Sequence, residues 1–202
     1  RLHTGQSLLL YVLLEHQSSV DSWMALRMLR YVVRQVERWR QEHPESTRLP
    51  VIIPLVMYHG PDGVWTAPRR VEELFELPGD PWRALVPRFE YLLDDLTAER
   101  EEALRARSGP PLARLAWLVL RYGRTGELAH RLPDWTVLFA QVRAAPEGVE
   151  QLVAVIRYLL WVEKDAALHA AARRVLHSVL DEQRAEELRG TWAEDMMERG
   201  VQ

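Results

Sequence analysis

Hydrophobic positions in the first sixty or so residues fall into three blocks with different periods. A continuous apolar run at residues 8–14 has the length of a buried strand and breaks abruptly into "EHQSS" at 15–19. Over residues 21–42 the apolar positions recur at helical spacing. Ala25, Leu26, Met28, Leu29, Val32, Val33, Val36 and Trp39 share one wide face, and Arg27, Arg30, Arg34 and Arg38 fall on the opposite one. Ser19 or Asp21 can cap this helix, and Pro44 marks its end. A second apolar run, 51–57, is entered through Pro50 and closed by Gly60. Pro54 inside it removes one ladder donor, which points to an edge strand or a bulge. Strand, helix, strand in this span is a βαβ unit, so the two strands are expected side by side and parallel with the helix on one face.

Residues 61–87 are punctuated by Gly and Pro and read as surface loops around a short helical "VEELFEL". "FEYLLDDL" at 89–96 is expected to be a third strand. Everything beyond Thr97 reads helical, in segments near 97–107, 111–123, 125–131, 133–144, 147–162, 164–180 and 182–198. The expected division is therefore an α/β part at 1–95 and an α-helical region at 96–202. The apolar stretch 152–161 is too short to span a bilayer and contains Arg157, so a soluble protein without membrane contact is expected.

Composition narrows the chemistry. At 202 residues the chain fits one domain or a little more, and a net charge of −3 gives no global field for nucleic acid. Any phosphate contact has to come from a local patch. The absence of cysteine excludes disulfides and thiolate metal sites and suits a cytoplasmic protein. Lys164 is the sole lysine. The opening "RLHTGQS" reads as the second half of a hairpin, so the chain is expected to be a piece of a longer protein.

The polar end of the first strand is the sharpest candidate site. Period-two alternation places Leu13, Glu15 and Gln17 on one side and Leu14 and His16 on the other. A strand that surfaces into water explains this polarity as well as a site does. His16, facing away from Glu15, suits a packing role. Tyr58 and His59 end the second strand where α/β sites open, although a turn accounts for them too. Asp94 and Asp95 look like paired acids but precede "LTAERE", where an acid caps a helix. Trp117, Trp135, Trp161 and Trp192 sit at helical spacing and suit packing between helices. Arg27, Arg30, Arg34 and Arg38 form either a solvated face or a grip on DNA phosphates.

Taken together, "YVLLEHQSSVDSWMALRMLRYV" and "LPVIIPLVMYHGPDGVW" resemble the recombination-promoting nuclease family, the YhgA-like transposases of the PD-(D/E)XK nuclease superfamily. The resemblance rests on Leu14, Glu15, His16, Gln17 and Ser18, then Met24, Arg27, Arg30 and Tyr31, then Tyr58, His59, Gly60 and Trp65. It implies an incomplete restriction-endonuclease-like core (strand-helix-strand), followed by the α-helical region. It also implies a DNA endonuclease that uses Mg2+ or Mn2+ and acts in transposition or recombination. On this reading Glu15 is a metal ligand and catalytic acid, and Gln17 orients the attacking water where most superfamily members carry lysine. The partner metal-binding Asp belongs to a strand preceding Arg1. The alternative function is a catalytically inactive remnant that binds DNA or forms a homo-oligomer through its helices.

Overall fold

Both N-terminal apolar runs form strands in the computed structural model, which describes residues 10–162 and 166–180. β1 (Leu10–Gln17) and β2 (Val51–Tyr58) lie side by side and parallel, in register from Leu10↔Val51 to Gln17↔Tyr58. They are joined by α1 (Met24–Glu42). β3 (Leu92–Asp95) adds parallel to the other side of β2, giving the order β1-β2-β3. The fold is mixed α/β, with a three-stranded parallel sheet and seven α-helices among the described residues.

The alternation read into the polar end of β1 holds, and one expectation changes. Glu15, His16 and Gln17 stay in the ladder because β2 continues to Tyr58 and supplies Val56, Met57 and Tyr58 as partners. β2 is the central strand, not an edge. Pro54 is tolerated there because β3 pairs only with Leu55–Tyr58, so Pro54 has a strand on one side alone.

The core of this part lies between one sheet face and α1. Val56 and Tyr58 from the sheet meet Met24, Ala25 and Met28 from α1, with Trp65, Val71 and Tyr91 closing the cluster. Leu13, Leu29 and Leu93 pack against it. The opposite sheet face stays open, with Val12, Leu14 and Leu92 all more than half exposed (60%, 55% and 52%). The apolar stripe of α1 is also only partly used. Leu26 and Val33, expected in the core, are exposed, because a sheet of three strands covers the Met24–Ala25–Met28 side and no more.

The chain divides into two compact units, Arg1–Ala98 and Glu99–Gln202. The second consists of α2 (Glu101–Ala106), α3 (Pro111–Tyr122), α4 (Leu128–Arg131), α5 (Thr136–Arg143), α6 (Gly148–Val162) and α7 (Ala166–Val179). Gly126, at a φ of 74° that disfavours side chains, turns the chain from α3 into α4. Leu115, Leu118, Leu132, Trp135 and Phe139 are fully buried. The helix expected at 182–198, with Trp192, and the residues Leu8, Leu9 and Lys164 lie outside the described residues. Among the described residues no helix is long and apolar enough to cross a membrane.

Candidate active site

In a parallel sheet, laterally paired residues point to the same face. The register therefore sets Glu15, Val56 and Leu93 in one row and Gln17, Tyr58 and Asp95 in the next row on the same face, the one α1 covers. His16, Met57 and Asp94 form a row on the other face. Glu15 and Gln17, expected on one side of the strand, are in direct contact: Gln17 Nε2 donates to Glu15 Oε1 at 2.8 Å. His16 faces away from both and stacks on His59, ring centroids 4.2 Å apart.

Arg27 corrects the sequence picture. It does not stand on a solvated stripe with the other arginines. Its Nη2 donates to the same Glu15 Oε1 at 2.9 Å, and its Nη1 pairs with Asp21 Oδ2 at 2.7 Å. The side chains of Arg27 and Glu15 are about a quarter exposed (25% and 26%), so this pair is screened less than a surface pair. Asp21 also fixes the entry to α1, its Oδ1 accepting from the Trp23 backbone N–H at 2.8 Å. A chain of polar contacts thus runs Gln17, Glu15, Arg27, Asp21. Sequence spacing gave no sign of it, because residues 12 apart meet only when the fold lays α1 across the end of β1. Both contacts to Glu15 use Oε1, and none of the described residues hydrogen-bonds Oε2.

The remaining arginines part company. Arg38 pairs with Glu42 at 2.8 Å, one turn along α1. Arg30 and Arg34 form no ion pair among the described residues. Together with Trp23, Leu26, Leu29 and Val33 they line a shallow groove of about 630 Å³ that Arg27 and Asp21 also border. Sequence reading passed over Trp23, which is largely exposed at the mouth of α1.

The other candidates hold the fold. Tyr58 is buried with its ring 5.1 Å from Trp65, edge-on, and a Cβ at Gly60 would lie 2.1 Å from its hydroxyl. That close approach explains the glycine. Burial, helped by Asp95 and Asp62, pushes the Tyr58 hydroxyl above its ordinary pKa. Trp65 donates its indole N–H to the Tyr91 hydroxyl at 2.9 Å. Burial pushes Tyr91 up to about 12. Asp95 does not cap α2. Its Oδ2 accepts from the Trp65 backbone N–H at 2.7 Å, and its Oδ1 accepts from Thr97. Trp135 is buried in the second unit, and the Arg107 guanidinium lies 4.8 Å over the Trp117 ring.

The Mg2+ or Mn2+ implied by the resemblance meets an incomplete donor set. Such hard ions take six or more oxygen ligands. Among the described residues no three His, Cys, Asp or Glu side chains come together in a way that could hold a metal. Asp94 lies on the far face, Asp95 is taken by the Trp65 loop and the following turn, and Glu15 Oε1 is already bound to a cation, Arg27. The described residues therefore do not by themselves make a seat for a divalent ion.

Comparison with known proteins decides the family. Residues 1–150 match the family described as "Putative transposase, YhgA-like". The chain belongs to this family. It is 43% identical over 51 residues to recombination-promoting nuclease RpnD of Escherichia coli O157:H7, and 37% identical over 51 residues to the inactive recombination-promoting nuclease-like protein RpnE of Escherichia coli K12. Each alignment takes in 25% of this chain, but only 19% of the first relative and 16% of the second. The aligned part thus spans less than a fifth of either relative. No solved structure matches the chain. Membership of the YhgA-like family gives the "LEHQS" segment and α1 a common context, since the matched range contains both.

Proposed function

We propose that the chain carries the DNA-cleaving part of a recombination-promoting nuclease of the restriction-endonuclease-like type, with the reaction centred on Glu15 and Gln17. The observation that carries this reading is the Glu15 carboxylate. It sits at the end of a parallel strand, a quarter exposed, tied to Gln17 through Oε1, with no hydrogen bond to Oε2 from the described residues. The C-terminal end of parallel strands is where α/β sites form. An oxygen placed there can accept the proton of a water as that water attacks phosphorus, while the Gln17 amide holds Glu15 in position. The P–O bond to the leaving oxygen breaks, and that oxygen takes its proton from solvent. Arg30 and Arg34 form no ion pair among the described residues, although Glu37 lines the same groove, and they supply local positive charge that the net charge of −3 does not. Dependence on Mg2+ or Mn2+ is part of the proposal and calls for oxygen ligands beyond the described residues.

Nicking of supercoiled plasmid in Mg2+ or Mn2+ buffer tests it. Glu15→Gln is expected to slow nicking at least about a hundredfold, equivalent to ~2.7 kcal/mol. Gln17→Ala, which removes one neutral hydrogen bond, is expected to slow it about tenfold to a hundredfold. Equal rates for the unaltered and Glu15→Gln proteins, or no nicking by either, would overturn the reading.

A further inference from the structure

Arg27 stands where a site built on Glu15 calls for positive charge. One planar guanidinium reaches two acids from different parts of the chain, Glu15 Oε1 at 2.9 Å and Asp21 Oδ2 at 2.7 Å. Its Nε is buried and has no hydrogen-bond acceptor among the described residues. The charge is thus partly withdrawn from water and answered by those two carboxylates. A rigid fork that serves two acids at once is geometry an ammonium cannot copy.

We infer that Arg27 is the resident counter-cation of Glu15 and competes with any divalent ion that approaches this carboxylate. A doubly charged ion at Glu15 gains carboxylate oxygen but meets a guanidinium that is already there. Removing the guanidinium leaves two acids in reach of the same space and takes away the repulsion. The incomplete donor set and the bound arginine are then two sides of one arrangement, in which the Glu15 carboxylate has a counter-cation without metal.

The test is calorimetric titration with Mn2+ in the absence of DNA, on the unaltered chain, Arg27→Gln, Arg27→Lys and the double variant Arg27→Gln/Glu15→Gln. Arg27→Gln is expected to bind Mn2+ at least about tenfold tighter than the unaltered chain. Arg27→Lys should gain less, since it keeps the charge but not the bridge. The double variant should lose the gain. Equal affinity for the unaltered chain and Arg27→Gln, or a gain that survives Glu15→Gln, would overturn the inference. Thermal melting reports whether Arg27→Gln folds; if it does not, Arg27→Met, neutral and of similar reach, takes its place under the same criterion. The inference takes from the proposed function only the choice of Mn2+ as probe. With no DNA in the assay, its failure leaves the cleavage reading standing, and a failure to nick DNA leaves this result untouched.

Discussion

Glu15 and Glu101 are built from the same parts and do different things. Each carboxylate accepts hydrogen bonds from arginine and from one neutral N–H donor: Gln17 beside Glu15, and the Trp135 indole beside Glu101. Glu101 has both oxygens engaged. Its Oε1 takes Arg105 and Trp135, its Oε2 takes Arg131, and its side chain is 13% exposed. Arg131 is further fixed by Glu127 and lies 4.2 Å over the Tyr122 ring. Glu15 has both of its contacts on one oxygen and twice the exposure. A carboxylate with both oxygens engaged by its own fold is a structural joint between helices. One with an oxygen left open at a strand end can still meet a ligand.

The sharpest break in this comparison is thermal. Glu101→Gln takes from Arg105 its acidic partner, leaves Arg131 with Glu127 alone and weakens the junction at Trp135, and is expected to destabilise the second unit by about 2–3 kcal/mol. Glu15→Gln is expected to cost less than about 1 kcal/mol, because Arg27 keeps Asp21. Equal losses from the two substitutions, read by melting followed with circular dichroism, would mean that Glu15 is as structural as Glu101.

Arg30 and Arg34 sharpen the same contrast, since among the described residues they lack the acidic partners that occupy Arg105 and Arg131. Reversing both to Glu is expected to weaken DNA binding about tenfold or more and to flatten its dependence on salt, while melting stays unchanged. Unchanged binding in a filter or anisotropy titration would assign them to solvent.

The smallest effect is on pH. Burial pushes the Glu101 carboxyl up, but hydrogen bonds from Trp135, Arg105 and Arg131 outweigh it, and the pKa ends below the ordinary value. A carboxyl whose folded pKa is lowered contributes stability that is complete above its unfolded value, near 4.3, and is lost as pH falls through the folded value. Between pH 6 and pH 2 the unaltered chain should therefore lose more stability than Glu101→Gln. Parallel acid titrations of the two would refute this.

Much of the first unit was legible along the chain. Apolar runs and helical spacing place β1, α1 and β2, and the short connections between them make the strands parallel. Strand alternation alone puts Glu15 and Gln17 on one side and His16 on the other, because the side-chain period of a strand is a property of the backbone. Periodicity says nothing about what lies across from each face, and the misreadings came from there. Arg27 shares a helical face with Arg30 and Arg34, yet α1 crosses the end of β1 so that Arg27 alone meets Glu15. Leu26 and Val33 carry the hydrophobic pattern but find no sheet above them. Asp94 and Asp95 are neighbours on a strand and so take opposite faces, but only their register with Met57 and Tyr58 decides which of them lies on the face α1 covers. Local pattern fixed the elements and the sidedness of each. Only tertiary packing decided which charges came within hydrogen-bonding distance, because that depends on the crossing of two elements whose relative placement no stretch of sequence encodes by itself.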